Sequence, residues 1–124
     1  MDPKQTVTPS EWKIMELLWA NGPQTMAQLT ARLSAETGWS KHAVISLLKR
    51  MCQKGSAAIV ENTSPMQYQA LLPRQDAVAQ ETQGVLAKVF HGKSALMIHT
   101  LVEDASFSDE EIDELMALLE SRRK

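Results

Sequence analysis

From Ser40 to Lys54 the 124-residue chain reads SKHAVISLLKRMCQK, a stretch holding Lys41, Lys49, Arg50 and Lys54 and no acidic residue. Wound as a helix, it gathers Val44, Leu47, Leu48 and Met51 into one apolar seam, the spacing of a helix laid on a core. Opposite lie His42, Ser46, Lys49 and Gln53, with Ala43, Ile45 and Arg50 on the shoulders. The chemistry open to such a face is recognition: hydrogen bonds to base edges, neutralisation of phosphates, and no carboxylate to repel them. Ser40, Lys41 and the free N–H groups of the helix start would hold a phosphate. Ser46 and Lys49 are candidates for base edges, and Arg50 for a base or the backbone. Ala43 or Ile45 could touch a thymine methyl. The bland alternative is an amphipathic helix whose polar side simply faces water.

Other chemistry finds little support. The chain has no phosphate loop, HExxH or GxSxG pattern and no paired carboxylates suited to a cleft, so no enzymatic activity and no cofactor are expected. His99 and Glu103 share a helix face at i, i+4, and His91 is near in sequence, but two ligands are too few for a metal site. Met15, Met26, Met51, Met97 and Met116 sit in apolar stripes and read as core. The single cysteine, Cys52, cannot form an internal disulfide, which fits a reducing cytosol.

The elements that must position this face are legible on either side of it. Thr8, Pro9 and Glu11 form a capping box with proline in the first turn, followed by Trp12, Met15, Leu18 and Trp19 at helical spacing. Asn21-Gly22-Pro23 ends that helix. Thr25 and Gln28 repeat the capping pattern ahead of Met26, Leu29 and Leu33, and Gly38 terminates the second helix. Ser40 caps the third, closed by Gly55. Residues 57–60 and 67–71 then flank the turn formers Asn62, Thr63, Ser64 and Pro65, which reads as a β-hairpin whose tip carries no Lys or Arg. Beyond Pro73 all is helical: a long segment with Val78, Val85, Leu86, Val89 and Phe90 stopping near His91-Gly92, one capped by Ser94, and one opened by Ser108 and Glu111. The last has an acidic first turn and ends on Arg122, Arg123 and Lys124, both favourable to its dipole.

Three helices and a hairpin in about 65 residues is the layout of a winged helix-turn-helix, whose third helix enters the major groove. The expected fold is mainly α with a small β-hairpin: a DNA-binding domain over 1–72 and a three-helix dimerisation region over 73–124. Charge divides the same way. Residues 1–72 carry seven Lys/Arg against five Asp/Glu, and residues 73–124 six against ten, within a net charge of −2. Composition is that of an ordinary globular protein, 44% hydrophobic and 23% charged. The longest apolar run, residues 115–119, is far too short to span a bilayer, and the opening MDPKQTVTP has no secretion-signal stretch, so a cytoplasmic chain without direct membrane binding is expected. Fifty-two helical residues without a disulfide or metal bury too little to be comfortable alone. Pairing two copies through Val85, Leu86, Val89, Phe90, Leu96, Leu101, Ile112, Leu115 and Leu119 would cover them and set two recognition helices on a two-fold site. The competing reading is a winged helix used for protein contact rather than DNA.

The segments Thr8-Pro9-Ser10-Glu11-Trp12 with Met15, Leu18 and Trp19, then Trp39-Ser40 and Leu47-Leu48-Lys49-Arg50-Met51, resemble the BlaI/MecI/CopY penicillinase-repressor family. Gly92-Lys93-Ser94 and the SDEEIDEL of residues 108–115 are similar to its C-terminal region. The resemblance implies a homodimeric winged-helix transcriptional repressor on palindromic operator DNA, controlling β-lactam-resistance or metal- and stress-response genes. It departs where the family's recognition helix carries Thr-Val-Lys/Arg-Thr-Leu: here residues 43–47 read Ala-Val-Ile-Ser-Leu, which keeps a hydroxyl at Ser46 and loses the first Thr and the basic residue. An altered operator or weaker binding is the expected consequence. The resemblance also implies a membrane sensor-protease pathway acting on an Asn-Phe bond, where this chain has Thr100-Leu101. The paired Cys-x-Cys motifs of the copper branch are missing from the sequence.

Overall fold

The computed structural model describes residues 6–124. Lys4 and most of the opening stretch read above lie outside the described residues. Element order is α1 Pro9–Asn21, β1 Gln24–Thr25, α2 Met26–Thr37, α3 Lys41–Lys54, β2 Ala57–Val60, β3 Gln67–Ala70, α4 Arg74–Phe90, α5 Ser94–Asp104 and α6 Asp109–Ser121. The chain divides into two compact units, the first ending at Gly84 and the second spanning Val85–Lys124.

Local chemistry sets the helix starts of the first unit. Thr8 accepts from the Glu11 amide at 3.2 Å while the Glu11 carboxylate accepts from the Thr8 amide at 3.1 Å, and Thr25 and Gln28 repeat the exchange for α2. Each box satisfies two backbone donors that a helix start leaves unpaired. Ser40 caps α3 through the Ala43 amide. Gly38 and Gly55 end α2 and α3 with φ of 76° and 91°, the left-handed conformation that glycine adopts without a Cβ penalty. At the turn between the two helices, Ser34 donates its hydroxyl to the Trp39 carbonyl at 2.7 Å, which ties the end of α2 to the start of α3.

The core of this unit joins Ile14, Met15 and Leu18 of α1, Leu29 and Leu33 of α2, the Val44/Leu47/Leu48/Met51 seam of α3, and Ala57, Tyr68 and Leu72. The hairpin expected after Gly55 is present, with Ala57 opposite Ala70 and Val60 opposite Gln67. A third strand was not legible: β1 pairs antiparallel with β3, Gln24 opposite Tyr68, giving the order β1-β3-β2. Its two residues are too few for any alternation. Gln24 is held there by a buried side chain donating to the Leu17 carbonyl at 3.0 Å. The compact unit also runs past residue 72, because Ala77 in the first turns of α4 packs into this core. Trp19 donates its indole N–H to the Leu72 carbonyl at 2.9 Å, and Arg74 lies 6.0 Å from the Trp19 ring centre. Trp12 and Trp19 meet edge to face at 5.4 Å.

The second unit differs in kind, since none of its residues is buried. Ser108 and Glu111 form the capping box expected for α6. Two local expectations do not hold. Ser94 is the first residue of α5 rather than its cap; Lys93 occupies that position without a side-chain bond. Arg122, Arg123 and Lys124 fall just beyond the last turn of α6, which contains no basic residue, and Arg123 pairs instead with Glu120 at 3.3 Å. Met116 is also exposed rather than core, because its face of α6 has no covering layer within the unit.

Deleting three buried carbons from the α3 seam tests whether the seam supports the first unit. Leu48→Ala should lower the free energy of unfolding by about 2–5 kcal/mol, read as a lower urea midpoint at unchanged slope. A midpoint within error of wild type would contradict the core described above.

Candidate nucleic-acid interface

α3 turns its seam inward and leaves one continuous outward strip. Ser40, Lys41, His42, Ile45, Ser46, Lys49, Arg50 and Gln53 are exposed and Ala43 is half-buried. The Ser40 oxygen is occupied as a cap, which leaves its hydroxyl proton free to donate alongside Lys41 at the positive end of the helix dipole. His42, Ser46 and Lys49 follow one another along the middle of the strip, with neither a hydrogen bond nor an ion pair among the described residues to engage their side chains. These groups are available to a ligand. Gln53 is also exposed, near the far end.

Arg50 is placed differently. On its shoulder it leans toward α1, and its Nε donates to Glu11 Oε2 at 3.1 Å. Lys54, one turn on, donates its Nζ to Glu11 Oε1 at 2.6 Å. Glu11 is 1% exposed, so one buried carboxylate receives two cations of α3 and the Thr8 amide. Burial alone would raise its carboxyl pKa. The hydrogen bonds from Lys54 and the Thr8 backbone and the charges of Lys54 and Arg50 outweigh that, holding it below the ordinary 4.5. The capping role of Glu11 is legible from T-P-S-E; its burial and its partners 39 and 43 residues away are not.

The hairpin flanks the strip. Between it and α3 an open groove of about 430 Å³ is lined by Ile45, Lys49, Cys52, Gln53, Ile59 and Tyr68. Burial pushes the Cys52 thiol above its ordinary range. At the hairpin tip Thr63 donates to the Val60 carbonyl at 2.9 Å and accepts from the Gln67 amide at 3.0 Å. Its hydroxyl therefore closes the turn instead of facing a ligand, and the described tip carries no cation. In the second unit His99 and Glu103 form an exposed pair at 3.2 Å, and no cluster of three metal-ligating side chains occurs among the described residues. Among the described residues no helix is long and apolar enough to cross a membrane.

A three-helix unit with a β-hairpin beside an outward, acid-free third helix defines the winged helix-turn-helix class. The solution structure of the DNA binding domain of the repressor BlaI superposes on it with a TM-score of 0.54 at 18% identity, covering 61% of this chain and 93% of that one. The family model for the penicillinase repressor matches residues 7–121, and the chain belongs to that family of transcriptional repressors, which are not enzymes. It is 22% identical over 116 residues to the methicillin resistance regulatory protein MecI of Staphylococcus aureus (strain N315), covering 94% of each chain. With the penicillinase repressor of Bacillus licheniformis it shares 21% over 117 residues, 94% of this chain and 91% of the relative.

A carboxyl depressed in the fold and ordinary in the unfolded chain contributes stability that is complete above its unfolded pKa and lost as pH falls through its folded pKa. Urea midpoints of the wild type should therefore drop as pH is lowered from about 5, and Glu11→Gln should remove part of that dependence. Parallel pH curves for the two proteins would show that Glu11 does not carry it.

Proposed function

We propose that the chain represses transcription as a homodimer that reads a palindromic operator through the outward strip of α3. The observation that carries this reading is the strip itself: exposed, free of acid, and holding Lys41, His42, Ser46 and Lys49, whose side chains make no hydrogen bond or ion pair in the described fold. Lys49 and Ser46 read base edges, Ser40 and Lys41 hold a phosphate at the helix start, and His42, Ala43, Ile45 and Arg50 complete the contact. The tip of the hairpin lends little phosphate attraction. Membership in the repressor family supports the same conclusion, as does the likeness of fold to a DNA binding domain. Its work is placed in the cytoplasm. Its targets are genes of antibiotic resistance or of a metal or stress response, with a membrane sensor-protease pathway as the source of the inducing signal.

The second unit supplies the dimer. Val85, Val89, Leu96, Leu101, Ile112, Leu115 and Leu119 are all exposed, and Leu86 and Phe90 are half-buried. Forty residues that leave this much apolar surface in water and bury none of it have their hydrophobic stabilisation still to gain, and a second copy offers a self-complementary surface. A two-fold dimer would space two α3 helices about one or two helical turns apart on duplex.

Fluorescence-anisotropy titration with duplex from upstream of the chain's own gene tests the reading. Lys49→Ala should weaken binding by about 1–3 kcal/mol. With about six to ten phosphate contacts per dimer, log affinity should fall against log salt with a slope of about −5 to −9. Unchanged affinity in Lys49→Ala together with a flat salt response would remove the assignment. Leu115→Asp with Leu119→Asp should shift sedimentation toward monomer and weaken DNA binding together; a double variant that stays dimeric would refute the surface.

A further inference from the structure

We infer that Glu11 is a specificity-determining residue, a built-in counter-charge that withholds two cations of the reading helix from indiscriminate contact with phosphate. The inference rests on the DNA-binding reading above. Four cations lie on α3, and each of them, left free, would be drawn to any duplex whatever its sequence. Lys54 and Arg50 are not free. With Glu11 they form a group of net charge +1, and the Lys54 side chain is drawn back to 18% exposure, its Nζ bonded at 2.6 Å. Arg50 stays 55% exposed with only its Nε committed, so its remaining N–H groups face outward from an anchored stem. An anchored guanidinium meets an acceptor in one geometry, whereas a mobile one follows any phosphate.

Helix capping does not account for the charge at position 11. The same capping role is filled for α2 by Gln28, a neutral side chain. In α6 it is filled by Glu111, which is exposed and forms no ion pair among the described residues. Glu11 is the buried member of the three, and it reaches across to another helix. The ion pairs add some stability through the depressed carboxyl, but a well-packed apolar trio of similar volume would give as much or more without burying charge. What the arrangement does secure is the position of two cations beside the reading face.

The test uses full-length protein, anisotropy titrations across a range of KCl, and two probes: a duplex enriched from a random pool by the wild type, and a scrambled duplex of the same length and composition. Glu11→Gln should bind the scrambled duplex several-fold more tightly, with a salt slope steeper by about one to two per subunit, one for each cation released to phosphate. It should also lose about tenfold in the ratio of enriched to scrambled affinity. A merely structural defect would lower both affinities in parallel, and that result, or an unchanged ratio, would overturn the inference. Lys54→Met provides a second arm that keeps the Glu11–Arg50 pair. Its salt slope should match the wild type, and a slope shallower by about one per subunit would place Lys54 on phosphate and overturn the inference independently. Wild-type protein that bound neither duplex would instead sink the DNA reading, and this inference with it.

Discussion

A carboxylate closed off from water has to find its compensation inside the protein, and Glu11 finds it in three donors from two parts of the chain: the Thr8 amide at the start of its own helix, and Arg50 and Lys54 on α3. Because it caps α1 and pairs with α3 at once, the angle between α1 and α3 is set by a bond network as well as by packing. Ile14, Met15 and Leu18 meet Val44, Leu47, Leu48 and Met51 across the same contact. Packing is tolerant of small slides between helices. Charged hydrogen bonds at 2.6 and 3.1 Å are much less so, since a short displacement would strand a buried charge.

The two units solve different physical problems. The first has a closed core of aliphatic side chains from all three helices and the sheet, and it keeps its polar strip outward. The second keeps apolar residues outward and has no buried residue. Its charge pattern differs as well, with Asp109, Glu110 and Glu111 crowding the first turn of α6, where the helix dipole favours them. An acidic surface is unsuited to phosphate, and an apolar one is suited to protein. The two units thus present surfaces of opposite chemistry.

Much of the site was legible because it depends on short-range rules. The caps at Thr8, Thr25, Ser40 and Ser108, the glycine stops at Gly38 and Gly55, and the amphipathic seam of α3 all arise within four residues of one another, and the structure places them as read. The exposure of His42, Ser46 and Lys49 follows from that seam alone. Where the reading failed, the competing effect was again identifiable. Ser94 stands where a cap is expected, yet the chain enters α5 one residue earlier, after the left-handed His91 and Gly92. Met116 fits an apolar stripe but lies on a helix that its own unit does not cover.

Side-chain type and spacing by themselves determined the helix boundaries of the first unit, the inward and outward faces of α3, and the absence of acid from its strip, since a helix places residues i, i+3 and i+4 together whatever surrounds it. Only the tertiary structure decided that Gln24 and Thr25 become a third strand, that Thr63 is used up in closing its turn, and that Arg50 is anchored to a glutamate 39 residues away. The strand and the Arg50 anchor depend on which distant groups arrive at the same place, and the Thr63 turn on which near neighbours the hairpin brings within reach. The cost of leaving a buried polar atom unpaired selects that outcome, and it acts only once the chain has folded.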